Sequence, residues 1–118
     1  MGRKRTRLLV GSDTTLAVAS VADRPWTRMI GLLGRAGLDQ GDGLVIEPCD
    51  AIHTWFMRFP IDVLFVDRQG LVVDAIHGLE PFRVASGRPA ATTTIELPAG
   101  TLKRAGVHPG ARVRMEPA

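Results

Sequence analysis

The sequence holds a single cysteine, Cys49, among its 118 residues. A disulfide bond within the chain is therefore excluded, and so is a metal site built from several thiolates. No run of about eighteen apolar residues occurs, which excludes a membrane-spanning helix and predicts no membrane partner. Tyrosine and asparagine are absent as well, which we attribute to the base composition of the genome.

The N-terminus starts with a basic cluster, Arg3–Arg7, before a short apolar stretch. Secretory signal peptides also begin with basic residues, but Gly11, Ser12 and Asp13 interrupt this apolar stretch too early. We therefore predict a soluble, cytoplasmic protein. Residues 1–6 are predicted to be a flexible basic tail, and 7–118 a single domain, because that length suits one hydrophobic core.

The formal net charge of +3 comes mostly from this tail. The first seven residues contain four of the 15 basic residues, which leaves a formal charge of −1 for the rest of the chain. In that remainder, basic residues alternate with Asp and Glu. Because a nucleic-acid-binding face needs basic side chains clustered on one element, we predict no specific nucleic-acid partner.

Short segments with strand-like alternation dominate the chain, and a helical period interrupts them once. The fold is therefore predicted as α+β, with a mainly antiparallel, barrel-like β-sheet and two short helices packed at one side. The helices are predicted at Pro25–Leu33 and Gly100–Ala105, and a long loop at His77–Ala90. The predicted strands are Arg7–Val10, Leu16–Val21, Leu44–Glu47, Ile52–Met57, Ile61–Val66, Leu71–Ile76, Thr92–Leu97 and Ala111–Met115. The predicted core residues are Trp26, Met29, Ile30, Leu33, Val63, Phe65 and Leu97.

Two segments are distinctive, HTWFMRFPIDVLFVD at His53–Asp67 and IELPAG at Ile95–Gly100. Gly31–Leu33 precedes them, and Gly106–Gly110 follows. In this order and spacing, residues 22–115 resemble the family catalogued as domain of unknown function 192. The resemblance implies a mainly β domain of bacteria and archaea without an established reaction. Many members carry an export signal or a lipid anchor before the domain, and this sequence departs from that pattern.

One histidine and two carboxylates, His53, Asp62 and Glu96, form the main candidate site. A histidine titrates near neutral pH, and a carboxylate partner orients its ring. His53 and Asp62 flank the turn at Pro60, so we expect them at the same end of the sheet. Glu96 lies in an apolar strand and must be paired or lie at an edge. The same three residues also fit a structural role, as a hydrogen-bonded group that holds the turn and the last helix.

Trp55 and Met57 extend this candidate site along the predicted strand. Because side chains alternate along a strand, both lie on the same strand face as His53, where they could bind a ligand ring or a peptide. The alternative is that both side chains belong to the core, as large apolar side chains usually do. Cys49 precedes His53 by four residues, but without a third catalytic group we expect it to be an inert, buried thiol.

No pattern predicts a cofactor or a metal ion. The three histidines show none of the usual metal-binding spacings, and residues 34–43 lack the phosphate-loop pattern. Because no nucleophile or charge-stabilising group accompanies His53, we favour a binding or accessory module that recognises a small polar ligand or a segment of a partner protein. The alternative is a small enzyme that uses His53 with Asp62 or Glu96 in acid–base chemistry, so whether the chain is an enzyme stays open.

Overall fold

The computed structural model describes residues 4–22, 37–55, 57–87 and 89–118. Strands make up most of this part of the chain. In chain order the elements are β1 (Arg5–Val10), β2 (Thr14–Ala22), β3 (Asp42–Ile46), β4 (Ala51–His53), β5 (Ile61–Val66), β6 (Val72–Leu79), β7 (Val84–Ser86), β8 (Thr93–Pro98), α1 (Thr101–Ala105) and β9 (Val113–Pro117). Seven strands form one sheet in the order β6-β5-β8-β3-β2-β1-β9, and β4 pairs with β7 in a separate small sheet.

The large sheet is antiparallel except between β2 and β3, and it curls until its edge strands meet. Leu71, just before β6, forms a bridge with Arg112, just before β9. The backbone N–H of Val72 also donates a hydrogen bond to the carbonyl of Ala111 at 2.8 Å. This partial closure confirms the predicted barrel-like, mainly antiparallel sheet.

The hairpin between β5 and β6 makes this closure possible. Gly70 has a φ of 82°, a conformation that favours glycine. A side chain at Gly70 would also collide with the backbone carbonyl of Val113 in β9. The absence of a side chain at this position therefore lets the hairpin approach the other edge of the sheet.

Each face of the curled sheet packs against its own hydrophobic cluster. The inner face carries side chains such as Ile95 and Leu97, and Leu102 of α1 joins them. The outer face carries Val63 and Phe65, and the small sheet covers it through its buried residue Ala85. The predicted core residues Val63, Phe65 and Leu97 are all completely buried.

Within the described ranges the chain has one helix, so the α+β description fits only loosely and the fold is predominantly β. The helix α1 starts one residue later than predicted, because Gly100 adopts a φ of 93° outside the helical region. The five residues of α1 are far too few to cross a bilayer. No helix in the described ranges is long and apolar enough to do so. The helix predicted at Pro25–Leu33, with its core residues Trp26, Met29, Ile30 and Leu33, lies outside the described residues.

Several predicted boundaries were wrong. β4 ends at His53 instead of Met57, because the chain turns there and the N–H of Met57 bonds to the carbonyl of Thr54 at 3.1 Å. The loop predicted at 77–90 contains the end of β6 and all of β7. β1 begins at Arg5, so part of the predicted tail belongs to the sheet. The division into a tail and a single domain otherwise stays a prediction.

Candidate functional site

The structure does not bring the three predicted site residues together. Asp62 lies opposite Leu97 in the pairing of β5 with β8, while Glu96 lies opposite Val63. Because neighbouring residues of a strand point to opposite faces, Asp62 is on the inner face of the sheet and Glu96 on the outer face. His53 belongs to the small sheet, and no hydrogen bond or ion pair joins any two of these three residues.

Asp62 is completely buried, and each of its carboxylate oxygens accepts a hydrogen bond from the backbone. Its Oδ1 accepts a hydrogen bond from the backbone N–H of Gly78, and its Oδ2 accepts one from that of Leu102, each at 2.9 Å. Gly78 lies in β6, and Leu102 lies in the first turn of α1. Asp62 therefore ties β5 to an edge strand and to the last helix, but the hydrogen-bonded group of three residues that the structural alternative predicted does not form.

Glu96 is a buried carboxyl group in the middle of the sheet. It is only 4% exposed, and no hydrogen bond or ion pair links its side chain to any described residue. Its cross-strand neighbours are the apolar residues Leu44 and Val63. Desolvation by burial raises the pKa of Glu96 from 4.5 to about 7. The prediction that Glu96 is paired or at an edge was therefore wrong, and a raised pKa lets the group stay neutral instead.

The outward side of the small sheet collects exposed apolar side chains. His53 lies opposite Val84, which is 68% exposed. The Nδ1 atom of His53 accepts a hydrogen bond from the N–H of Trp55 at 3.3 Å, and the two ring centroids are 5.6 Å apart. Trp55 and Phe82 are 48% and 58% exposed. We call His53, Trp55, Phe82 and Val84 the small-sheet patch.

A buried threonine fixes the two segments that carry this patch. The hydroxyl of Thr54 donates to the carbonyl of Glu80 at 2.6 Å and accepts from the N–H of Arg83 at 2.9 Å. The carbonyl of Thr54 accepts a hydrogen bond from the N–H of Phe82 at 3.0 Å. Phe82 has a φ of 62°, which is uncommon for a residue other than glycine. Thr54 therefore holds the segment with Trp55 against the segment with Phe82.

Met57 and Cys49 lie away from the patch. Met57 is 6% exposed and belongs to the cluster on the outer face of the sheet, so it does not share a face with the exposed Trp55. The prediction of one face for both residues was wrong, and Met57 takes the core role that was the alternative. Cys49 is half-buried, and its thiol donates a hydrogen bond to the carbonyl of Ala51 at 3.1 Å.

Comparison with known proteins gives the chain a family. A family model for domain of unknown function 192 (DUF192), described as an uncharacterized ACR, matches residues 8–115. The chain belongs to the DUF192 family. None of the curated proteins matches this DUF192 chain.

Two solved structures are similar to this DUF192 chain. One is a provisionally named transcription regulator from Sinorhizobium meliloti, with 25% identity over 98% of this chain and 96% of that chain and a TM-score of 0.84. The other is a protein of unknown function from Novosphingobium aromaticivorans, with 19% identity over 93% and 83% of the two chains and a TM-score of 0.79. The second likeness shows the fold alone.

Sequence reasoning missed two members of the patch in this DUF192 domain, Phe82 and Val84. Both fall in the segment predicted as a loop, because Pro81 and Gly87, which are typical of loops, flank the strand β7. The available signal was the pair Phe82 and Val84, two large apolar residues at the two-residue spacing of a strand. In the described ranges, no three His, Cys, Asp or Glu side chains cluster as they would around a metal ion.

Proposed function

We propose that this DUF192 domain is a binding module that recognises an extended segment of a partner protein through the small-sheet patch. The observation that carries the proposal is the exposure of Val84 in β7 together with Trp55, two residues after β4, and Phe82, two residues before β7. Among the described residues, Met115 is the one other large hydrophobic side chain with comparable exposure. Clustered exposed apolar side chains are typical of an interaction surface, whereas single ones need no explanation.

The free edge of β4 supplies hydrogen-bonding groups beside the patch. The N–H of Thr54 bonds to the carbonyl of Arg83 at 2.8 Å, and the N–H of Gly87 bonds to the carbonyl of Asp50 at 2.7 Å. Because backbone groups of alternate residues point towards the partner strand, those of His53 point away from β7. They make no hydrogen bond to any other segment within the described residues. An extended peptide could therefore pair with this edge as a third strand.

The side chains of the patch indicate what such a peptide carries. Every second side chain of an added strand would lie on the outward side, beside the rings of His53 and Trp55. Aromatic rings of this kind stabilise contacts with aliphatic and aromatic side chains. We therefore favour a segment with apolar residues at alternate positions over a small polar ligand, which is typically bound in a concave pocket.

Two other functions have less support. An acid–base enzyme needs a carboxylate near His53, and neither Asp62 nor Glu96 bonds to it. The name of the Sinorhizobium meliloti protein suggests a role in transcription. In the present chain, however, Arg5 and Arg114 lie 3.7 Å and 3.2 Å from carboxylates of this same chain. Paired arginines do not favour a DNA-binding face.

Selection of peptides from a random displayed library on the immobilised wild-type protein tests the proposal. We expect the recovered peptides to alternate apolar and polar residues. Their affinity should fall at least about tenfold for Trp55→Ala, because exposed tryptophans dominate such interfaces. The matched control, Met115→Ala, removes an exposed apolar side chain outside the patch and should leave affinity unchanged. Peptides that bind wild type and Trp55→Ala equally would reject the patch as the binding site.

A further inference from the structure

The two ends of the curled sheet are closed in different ways. α1 follows the end of β8 and covers that end of the inner face with Leu102. At the opposite end, where β8 begins at Thr93, a cavity of about 580 Å³ lies between β9 and the hairpin that joins β5 to β6. Cavities of this size, in the mouths of barrel-like sheets, are where small ligands bind.

The exposure of Met115 shows that this end is open. In the pairing of β9 with β1, Met115 lies opposite Leu8 and so points to the inner face. Leu8 is completely buried, but Met115 is 40% exposed. Past the Leu71–Arg112 bridge, β9 has no further strand partner on that side within the described ranges. Val66 and Val113 line the cavity but are only 1% and 4% exposed, so Met115 is the apolar side chain that the cavity offers to a ligand.

Glu47 gives the cavity a fixed negative charge. Its Oε2 accepts a hydrogen bond from the hydroxyl of Thr93 at 3.2 Å. Thr93 is only 6% exposed, so this bond anchors the carboxylate at the base of the cavity. The other oxygen, Oε1, accepts no hydrogen bond from any described residue, which leaves it available to a ligand.

The other charged groups of the cavity wall are less available. One Asp67 carboxylate oxygen already accepts backbone hydrogen bonds from Gln69 and Leu71, each at 2.9 Å. Arg114 lies 3.2 Å from the carboxylate of Asp13. Arg68 is exposed in the hairpin, at the rim of the cavity. The available groups of the cavity are therefore the carboxylate of Glu47 and the exposed side chain of Met115.

We propose that this cavity binds a small molecule that carries a primary ammonium group on a short aliphatic chain. The ammonium group donates to Oε1 of Glu47, and the aliphatic chain packs on the exposed side chain of Met115. A charge-assisted hydrogen bond and buried apolar contact together give such a ligand its orientation. This site is independent of the small-sheet patch, because no residue of β4 or β7 lines the cavity.

NMR titration of the ¹⁵N-labelled protein with butylammonium chloride tests this site, with sodium butyrate at equal ionic strength as the matched anion. We expect saturable shifts of the Gly70, Thr93 and Met115 amide signals with butylammonium and none with butyrate. Glu47→Gln keeps the shape of the side chain but removes its charge, and should weaken binding at least about tenfold. The control Glu80→Gln, an exposed carboxyl outside the cavity, should bind as wild type does.

A second variant covers the case in which Glu47→Gln alters the fold. Met115→Lys changes an exposed side chain, so the fold should persist, and it places a competing ammonium group at the mouth of the cavity. We expect it to weaken butylammonium binding to a similar extent. The proposal is overturned if wild type shows no saturable shift at these amides, if butyrate binds equally well, or if both variants bind like wild type.

Discussion

Replacing Glu96 with glutamine should remove a large part of the pH dependence of stability. The pKa of Glu96 is raised from 4.5 to about 7 in the folded state, by burial. A carboxyl with a raised folded pKa favours the folded state while it is protonated. Its contribution is therefore fully present below the unfolded pKa and is lost as the pH rises through the folded pKa.

The size of the effect follows from the shift. At about 1.4 kcal/mol per pKa unit, a rise from 4.5 to about 7 corresponds to a total loss of about 3–4 kcal/mol in the free energy of unfolding. Most of this loss falls between about pH 5 and about pH 8. Against a typical domain stability of about 5–15 kcal/mol, the change is easily measured.

Urea unfolding of wild type and Glu96→Gln at these two pH values is the assay. All other titrating groups are shared, so the difference between the two proteins isolates Glu96. We expect Glu96→Gln to lose about 2–3 kcal/mol less than wild type on going to the higher pH. Glu80→Gln, a change at an exposed carboxyl, should follow wild type. If wild type and Glu96→Gln lose stability in parallel, Glu96 does not titrate as a buried, unpartnered group.

Three further predictions concern the core, the buried aspartate and the basic N-terminus. Phe65→Ala should lower the free energy of unfolding by about 3–5 kcal/mol, since Phe65 is completely buried; an unchanged urea midpoint would contradict its place in the core. Asp62→Ala should cost about 3–6 kcal/mol, because the N–H groups of Gly78 and Leu102 lose a charged acceptor, whereas Asp50→Ala at an exposed site should cost little. A loss from Asp62→Ala no larger than from Asp50→Ala in thermal unfolding would refute this role. Duplex DNA should bind weakly and release at physiological salt in a fluorescence anisotropy titration; tight binding that disappears on deleting residues 1–4, which precede β1, would show that the N-terminus has a specific target.

Much of the sheet was predictable because short apolar or β-branched runs bounded by turn residues indicate strands. All six residues of β5 and all six of β8 are buried, and β5 is accordingly an almost continuous apolar run in the sequence. The segment after His53 misled the same reasoning. Its chain direction is set by Thr54, whose hydroxyl bonds to Glu80 and Arg83, about thirty positions away. Such a contact leaves no periodic signal around position 54.

The candidate site was harder to predict than the fold. The predicted site grouped Asp62 with Glu96, and the two residues lie on neighbouring strands. The two side chains lie on opposite faces because of the register of β5 against β8. A shift of one residue in that register would place them on the same face. The patch was found only in part, because the pairing of Val84 with His53 joins strands that are separated by two others in the chain.

Hydrogen exchange of the His53 backbone amide tests the central claim most directly. We propose that an extended partner segment pairs with the edge of β4, so this amide should become hydrogen-bonded in the complex with a selected peptide. Exchange measured by NMR should slow markedly at His53 on peptide binding, and stay unchanged at the buried amide of Leu102, which already bonds to Asp62. A peptide that binds tightly while the exchange rate at His53 stays the same would contradict strand addition at this edge.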